Sequence, residues 1–453
     1  MRAIKTQLRG RPLGGADCGW VAIAILTVSL PAQTAARPAQ GAPEQSAIVI
    51  RNATIVPVSG PRIQNGSLVI RGDRIESVGA NVTAPGDARV IDGTGLFVYP
   101  GMIDGGTQLG LTEIGSVPGG EDTEEIGDFN PHNVALTAVN PHSELIPVTR
   151  VNGVTTAITG ADGGLISGQA GLIDLLGWTP AEMVARRQAA MVVSYPSLGG
   201  GGFGGGGGFG GPQRSDTERR EELDRRTRSL RAYFADAKAY AEVKGRLTSA
   251  GGVRKVNQAM EAMTPVVGGE IPVIFDVTTA DQIRGVLALA DTFGLKVILR
   301  GAREAWRLAD TLAMRKIPVI VGPLTSVPGA DDPYDMTYAN PGVLARAGVK
   351  IAFQTSDAAN SRNLPYNAAL AVAYGLDADV ALRALTINAA EIFGVADRYG
   401  SLEPGKVANV IVTTGDPMDV RSVARHVFIR GQAVPMDDRH TRLYEQFRAR
   451  PKP

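Results

Sequence analysis

Hydrophobic and polar positions change period along the chain, and those changes mark its parts. Residues 47–58 read as a short strand that ends at Pro57 and Ser59-Gly60. Asn65-Gly66 marks a turn before a strand over 67–71, and Gly72-Asp73 another before 74–79. Asp92-Gly93 punctuates before the apolar run 96–99. The tail repeats this type, with short strand-like runs at 409–413 and 426–430. Neither piece is large enough to hold a core alone. One composite β-sandwich or sheet assembled from both chain ends is therefore predicted, with two independent β extensions as the alternative.

Between these pieces the pattern alternates. Apolar, β-branched runs occupy 153–159, 190–195, 271–278, 296–299, 316–321 and 349–353. Helical periods at 280–293, 302–315 and 341–347 separate the later ones. Fully apolar strands alternating with helices imply a parallel sheet covered on both faces. Their number and span suit a (β/α)8 TIM-type barrel, whose site lies at the C-terminal ends of its strands. A doubly wound open sheet is the runner-up, but no GxGxxG follows a first strand. Residues 199–211 are glycine except for Phe203 and Phe209. No phosphate-loop Lys follows, so this segment reads as a loop, and as a lid if it hangs over a barrel mouth. The highly charged 215–244 reads as a helix with a solvated face.

Composition narrows the chemistry. Across 453 residues, 46 Lys+Arg balance 45 Asp+Glu for a net charge of +1, which gives nucleic acid no basic footprint. With 44% hydrophobic and 20% charged residues the chain is globular rather than disordered. Arg2, Lys5, Arg9 and Arg11, the apolar run 20–30 and the small residues 32–36 read as a signal peptide over 1–36, cleaved near Ala35 or Ala36. A linker over 37–46 follows, and the expected location is exported, periplasmic or extracellular. An uncleaved anchor is the alternative, although the apolar run is short for a span. No membrane span is expected in the mature chain. Cys18, the one cysteine, precedes the apolar run, so cleavage would remove thiol chemistry altogether.

Several motifs now support a family comparison. Pro100-Gly101-Met102-Ile103-Asp104 resembles the PGxID entrance to the first barrel strand of the amidohydrolase superfamily. Residues 400–409, from Gly400-Ser401-Leu402 to Gly405-Lys406-Val407-Ala408-Asn409, resemble the G-x-L-x-x-G-K-x-A-D exit from that barrel. Thr386-Ile387-Asn388-Ala389-Ala390 is similar to the T-x-N-x-A helix before it, and 48–78 to the family's opening strands. The resemblance covers 47–436 and is closest to the imidazolonepropionase-like branch. It implies a barrel over 99–399, a composite sandwich from 47–98 and 400–436, and a tail over 437–453.

The resemblance also implies a reaction: hydrolysis of a non-peptide C–N bond, as in a cyclic amide, by a metal-activated water whose proton passes to a strand-eight Asp. The family's metal positions fall on unexpected residues. The HxH pair falls on Gly106 and Gln108, the strand-five His near Asp276, and the strand-six His near Arg300 or Gly301. Strand four, at 192–195, offers no Lys, and the strand-eight acid alone is kept, as Asp357. His132, His142, His426 and His440 show no ligand spacing, so zinc is not expected. Asp104, Asp276 and Asp357, with Gln108 nearby, are oxygen donors of the kind Ca²⁺, Mg²⁺ or Mn²⁺ accepts. The preferred alternative is an Asp276–Arg300 ion pair filling the vacated metal position. Residues 165–169 follow the second strand and resemble a loop of this branch, so Ser167 and Gln169 are expected to line the mouth as polar binding groups, Ser167 having no base beside it. Two functions stay open: an exported hydrolase with Asp357 as base, assisted by Asp276 or Gln108, or a catalytically silent barrel binding a small molecule or a protein. A structural homo-oligomer subunit is a third.

Overall fold

The computed structural model describes residues 47–451 apart from 116, 118, 199–214, 250–255 and 330–331. The expected signal and linker over 1–46 and the glycine-rich 199–211 lie outside the described residues.

The N-terminal part supplies β1 (Ile48–Ile55), β2 (Ile63–Arg71), β3 (Arg74–Gly79), β4 (Arg89–Asp92) and β5 (Phe97–Pro100). Eight strands follow: β6 (Met102–Thr107), β7 (Val154–Thr159), β8 (Ile166–Asp174), β9 (Val184–Ser194), β10 (Val273–Val277), β11 (Val297–Gly301), β12 (Val319–Val321) and β13 (Ile351–Phe353). The tail adds β14 (Val410–Thr413), β15 (Ala424–Ile429) and β16 (Gln432–Ala433).

Strands from both chain ends share one sheet, ordered β16-β15-β14-β5-β1-β2-β3, with β4 beside β1. The splice is antiparallel pairing of β14 with β5, Val410 opposite Pro100 and Thr413 opposite Phe97. Ile50, Ile55, Leu68, Ile70, Val98, Val412 and Phe428 form its core.

The second sheet runs β6 through β13 in chain order and curls into a TIM-like barrel. Its ends meet where the Ser356 amide donates to the Gly106 carbonyl at 2.8 Å. Inside, every strand sends at least one apolar side chain into a single cluster, among them Ile103, Ile158, Leu172, Val192, Ile274, Ile298, Ile320 and Ala352. β-Branched residues dominate because their stiff side chains suit a filled barrel interior.

Two expectations need correction. The sheet is not wholly parallel, since β8 runs antiparallel to both β7 and β9. The connection over 160–165 is far too short for the dozen or more residues a parallel crossover needs. The charged helix, Asp216–Ser249, is not simply solvated. Leu230, Phe234 and Ala237 fall at helical spacing and are buried, with Phe234 stacked 5.8 Å from Phe293. The tail forms an exposed helix, Arg439–Arg448, started by Asp438 accepting from the Thr441 amide. Elsewhere the helix Ala280–Phe293 keeps its expected bounds, set by a Thr279–Gln282 capping box and a left-handed Gly294.

Candidate functional site

Strand periodicity builds the site. On the parallel strands, the residue two places beyond an interior plug points the same way, one layer nearer the C-terminal mouth. Ile274 leads to Asp276, Ile298 to Arg300, Val192 to Ser194, Ile320 to Gly322 and Ala352 to Gln354. Asp276 stands in register with Ser194 on one side and Arg300 on the other. The small residues of this layer leave the room into which the arginine extends.

Arg300 is buried at 8% exposure and organises the mouth. Its Nε and Nη2 donate to the two carboxylate oxygens of Asp276 at 2.5 and 2.7 Å, a bidentate fork. Nη2 also lies 3.6 Å from Asp162, whose other oxygen accepts from the Gln108 amide. Nη1 makes no hydrogen bond to a described residue. Burial by itself would lower the arginine's pKa, but Asp276, Asp162 and Asp104 outweigh it and hold the cation above its usual range. Burial raises the carboxyl pKa of Asp162, with Arg300 working against it.

Asp104 lies beneath, fully buried. It accepts from the amides of Gly106 at 3.0 Å and Thr355 at 3.1 Å, and from the Thr355 hydroxyl. Burial pushes its pKa up to about 7 although these three donors favour the anion. The chain then turns through Ser356, whose φ of 64° is uncommon outside glycine, and leaves Asp357 exposed on the rim. Asp357 accepts from the Ala359 amide at 2.6 Å and the Asn360 side chain at 3.0 Å.

The structure sorts the expected site residues. Asp276, Arg300 and Gln108 come together, and Asp357 stands at the edge. Asp104, Asp276 and Asp357 are not assembled as a hard-metal cluster: backbone and hydroxyl donors surround the first, the arginine chelates the second, and the third faces solvent. Among the described residues no group of three His, Cys, Asp or Glu converges as a metal site. Ser167 and Gln169 do not line the mouth, because the segment read as a loop is the start of β8. Both are buried. Ser167 donates to the Gly163 carbonyl at 2.8 Å, while Gln169 bonds the Pro131 carbonyl at 3.1 Å and the Gln188 side chain. His132, His142 and His440 are exposed, and His426 sits on β15. Asp162 was missed, yet its signal was present: an acid three residues beyond the end of an apolar β-branched strand.

The family model described as "Amidohydrolase family" matches residues 335–434, from the helix before β13 through β16. An amidohydrolase from Thermotoga maritima MSB8 superposes with a TM-score of 0.76 at 27% identity, over 86% of this chain and 99% of that one. Residues 335–434 thus match the amidohydrolase family, and the fold as a whole is similar to that of the Thermotoga maritima amidohydrolase. Among curated relatives, the 5-methylthioadenosine/S-adenosylhomocysteine deaminase of Teredinibacter turnerae is 36% identical over 91 residues, 18% of this chain and 21% of that protein. The N-acyl-D-aspartate deacylase of Alcaligenes xylosoxydans xylosoxydans is 41% identical over 66 residues, 15% and 13% respectively. The matches thus span about a fifth or less of these relatives. Amidohydrolases commonly hold an ion at the mouth, but the side chains here do not fit one. Gly106 offers no ligand atom, the Gln108 amide is engaged by Asp162, and a guanidinium lies within the ligand set, where its charge opposes a divalent cation.

Proposed function

We propose that this amidohydrolase-family chain hydrolyses a small-molecule C–N bond of the amide type, without routing the reaction through a metal. The observation that carries the reading is Arg300, a cation fixed between Asp276 and Asp162 in the barrel mouth, with Asp357 on the adjoining rim. In this reading the free Nη1 edge donates to the substrate carbonyl and stabilises negative charge as water adds. Asp357 takes the proton of that water and passes it to the departing nitrogen, leaving a carboxylic acid and an amine. A cyclic amide is the preferred substrate class, in line with the imidazolonepropionase-like motifs. An exported location is proposed with it, on the basic start and apolar run 20–30.

The test is a screen of cyclic amides and N-acyl amines followed by product analysis, with Asp357→Asn as control. The variant should lose roughly 10²–10⁴ in kcat, the usual share of a general base. Its unfolding midpoint should barely move, because Asp357 is exposed. Wild-type turnover in Asp357→Asn would sink the reading. Binding without turnover is the second reading, favoured by the engagement of Arg300 with two carboxylates. Saturable binding with no product across the screen would select it.

A further inference from the structure

We infer that a guanidinium has taken the place of an ion in this barrel, and that Gly106 and Arg300 are one coupled replacement: the glycine is there to let the arginine lie across it. Three observations carry this, and none depends on whether the site turns over.

First, the backbone does not demand glycine at 106. Its φ lies outside the left-handed region, where glycine would be favoured for conformational reasons. Space demands it. A Cβ at 106 would sit 2.6 Å from Gln354 Oε1, 3.1 Å from Arg300 Cδ and 3.3 Å from Arg300 Nη1. Gln354 is itself tied by its amide to the Gly322 carbonyl at 2.8 Å. Any side chain at 106, an imidazole above all, competes for the volume the arginine fills.

Second, the arginine is a built part of the barrel. It comes from an interior-facing position, is buried, and has two of its three nitrogens committed to carboxylates from β10 and from the loop after β7. Lys could not reproduce the bidentate fork on Asp276.

Third, the carboxylates need a cation. Asp276 and Asp162 approach a common point, and Asp104 adds its field from below. Carboxylates held this close repel one another without a counter-charge, although Asp276 and Asp162 are partly exposed and only Asp104 is fully buried. Arg300 provides that charge with the fixed direction a metal would otherwise give.

Metal content and a double-mutant cycle test the proposal. Full-length protein, purified and dialysed against zinc, is assayed by elemental analysis, and its melting midpoint is compared with and without a chelator. The expected result is well under one ion per chain and no chelator shift. Zinc at one ion per chain would overturn the inference. Unfolding midpoints of Gly106→Ala, Arg300→Ala and the double variant then read the coupling. Gly106→Ala should lower the midpoint sharply in wild type and much less in the Arg300→Ala background, where Gln354 can swing into the vacated space. Equal losses in the two backgrounds would refute the coupling. The metal assay uses the unaltered chain, so it decides even if a variant does not fold. Neither measurement involves turnover, so failure here is separable from failure of the hydrolase reading.

Discussion

The barrel buries two aspartates completely, Asp104 near its mouth and Asp174 at its opposite end, and their surroundings differ. Because β8 runs antiparallel, Asp174 at its end meets the start of β7 and the sheet built from the chain ends. It accepts from the Asn409 amide at 2.8 Å, the Tyr399 hydroxyl at 3.1 Å and Thr156 at 3.3 Å, with Arg430 Nε 3.9 Å away. Asn409 donates to Thr156 as well, at 2.9 Å, and accepts from the Arg430 amide at 2.8 Å. The cluster pins β14 and β15 to the barrel. Asp104 is equally buried, but above it lie a fixed cation and the half-exposed Asp276, open to a ligand. Burial raises the pKa of both acids. A perturbed carboxyl therefore does not mark a site by itself; an open neighbour does.

The largest effect should come from breaking the closed end. Asp174→Ala leaves the Tyr399 hydroxyl without its acceptor and strips Asn409 and Thr156 of one partner each in a sealed space, at roughly 1–3 kcal/mol for each donor left unpaired, and opens a cavity besides. A loss of about 4 kcal/mol or more, or failure to fold, is expected in denaturant titration. Asp174→Asn should cost clearly less, because one oxygen remains. If Asp174→Ala unfolds at the wild-type midpoint, the cluster does not hold the two sheets together.

The open end should respond differently. Arg300→Met leaves Asp276 and Asp162 facing each other; both carboxylates reach solvent, so the loss should fall below the ~3–5 kcal/mol of a fully buried pair. Adding Asp276→Leu should return much of that loss, since an apolar replacement of a whole ion pair is often close to neutral. Stability should thus recover in the double variant while ligand binding stays lost. A stable double variant that still binds ligand would show that the ion pair is no part of the site.

How far each end was legible follows from the same contrast. The mouth could be read because period two places residues at strand ends, and Asp276, Arg300 and Asp357 terminate apolar runs. The PGxID and GKxA motifs located the barrel entrance and exit. The Asp174 cluster was hidden, since it depends on β8 running backwards. The segment from Leu165 was read as a loop, so its far end had no direction assigned. Ser167 and Gln169 were misplaced for the same reason. Leu230, Phe234 and Ala237 were hidden by the charge around them, three buried apolar positions in a helix rich in acidic and basic residues. Gly106 was noted as a missing ligand, but only three-dimensional packing shows that its missing side chain makes room for Arg300.

The last comparison separates the two ends by pH. Asp104 carries a folded pKa of about 7, against about 4 for an unfolded aspartate. Between these values the folded state holds more protons than the unfolded one, so this group's contribution to stability falls as pH rises. It is fully present below about 4 and lost above about 7, with a slope of at most ~1.4 kcal/mol per pH unit. Asp104→Asn removes the titration while keeping the shape, so its unfolding free energy should run flatter than wild type across this window. The two curves should converge toward the acid end, where the wild-type carboxyl is also neutral. Asp174 has a raised pKa too, so it adds a falling slope of its own, which Asp104→Asn leaves in place. The informative quantity is therefore the difference between the two pH profiles. Parallel profiles from pH 4 to 7 would mean that Asp104 stays ionised, held by the Thr355 and Gly106 donors in spite of its burial.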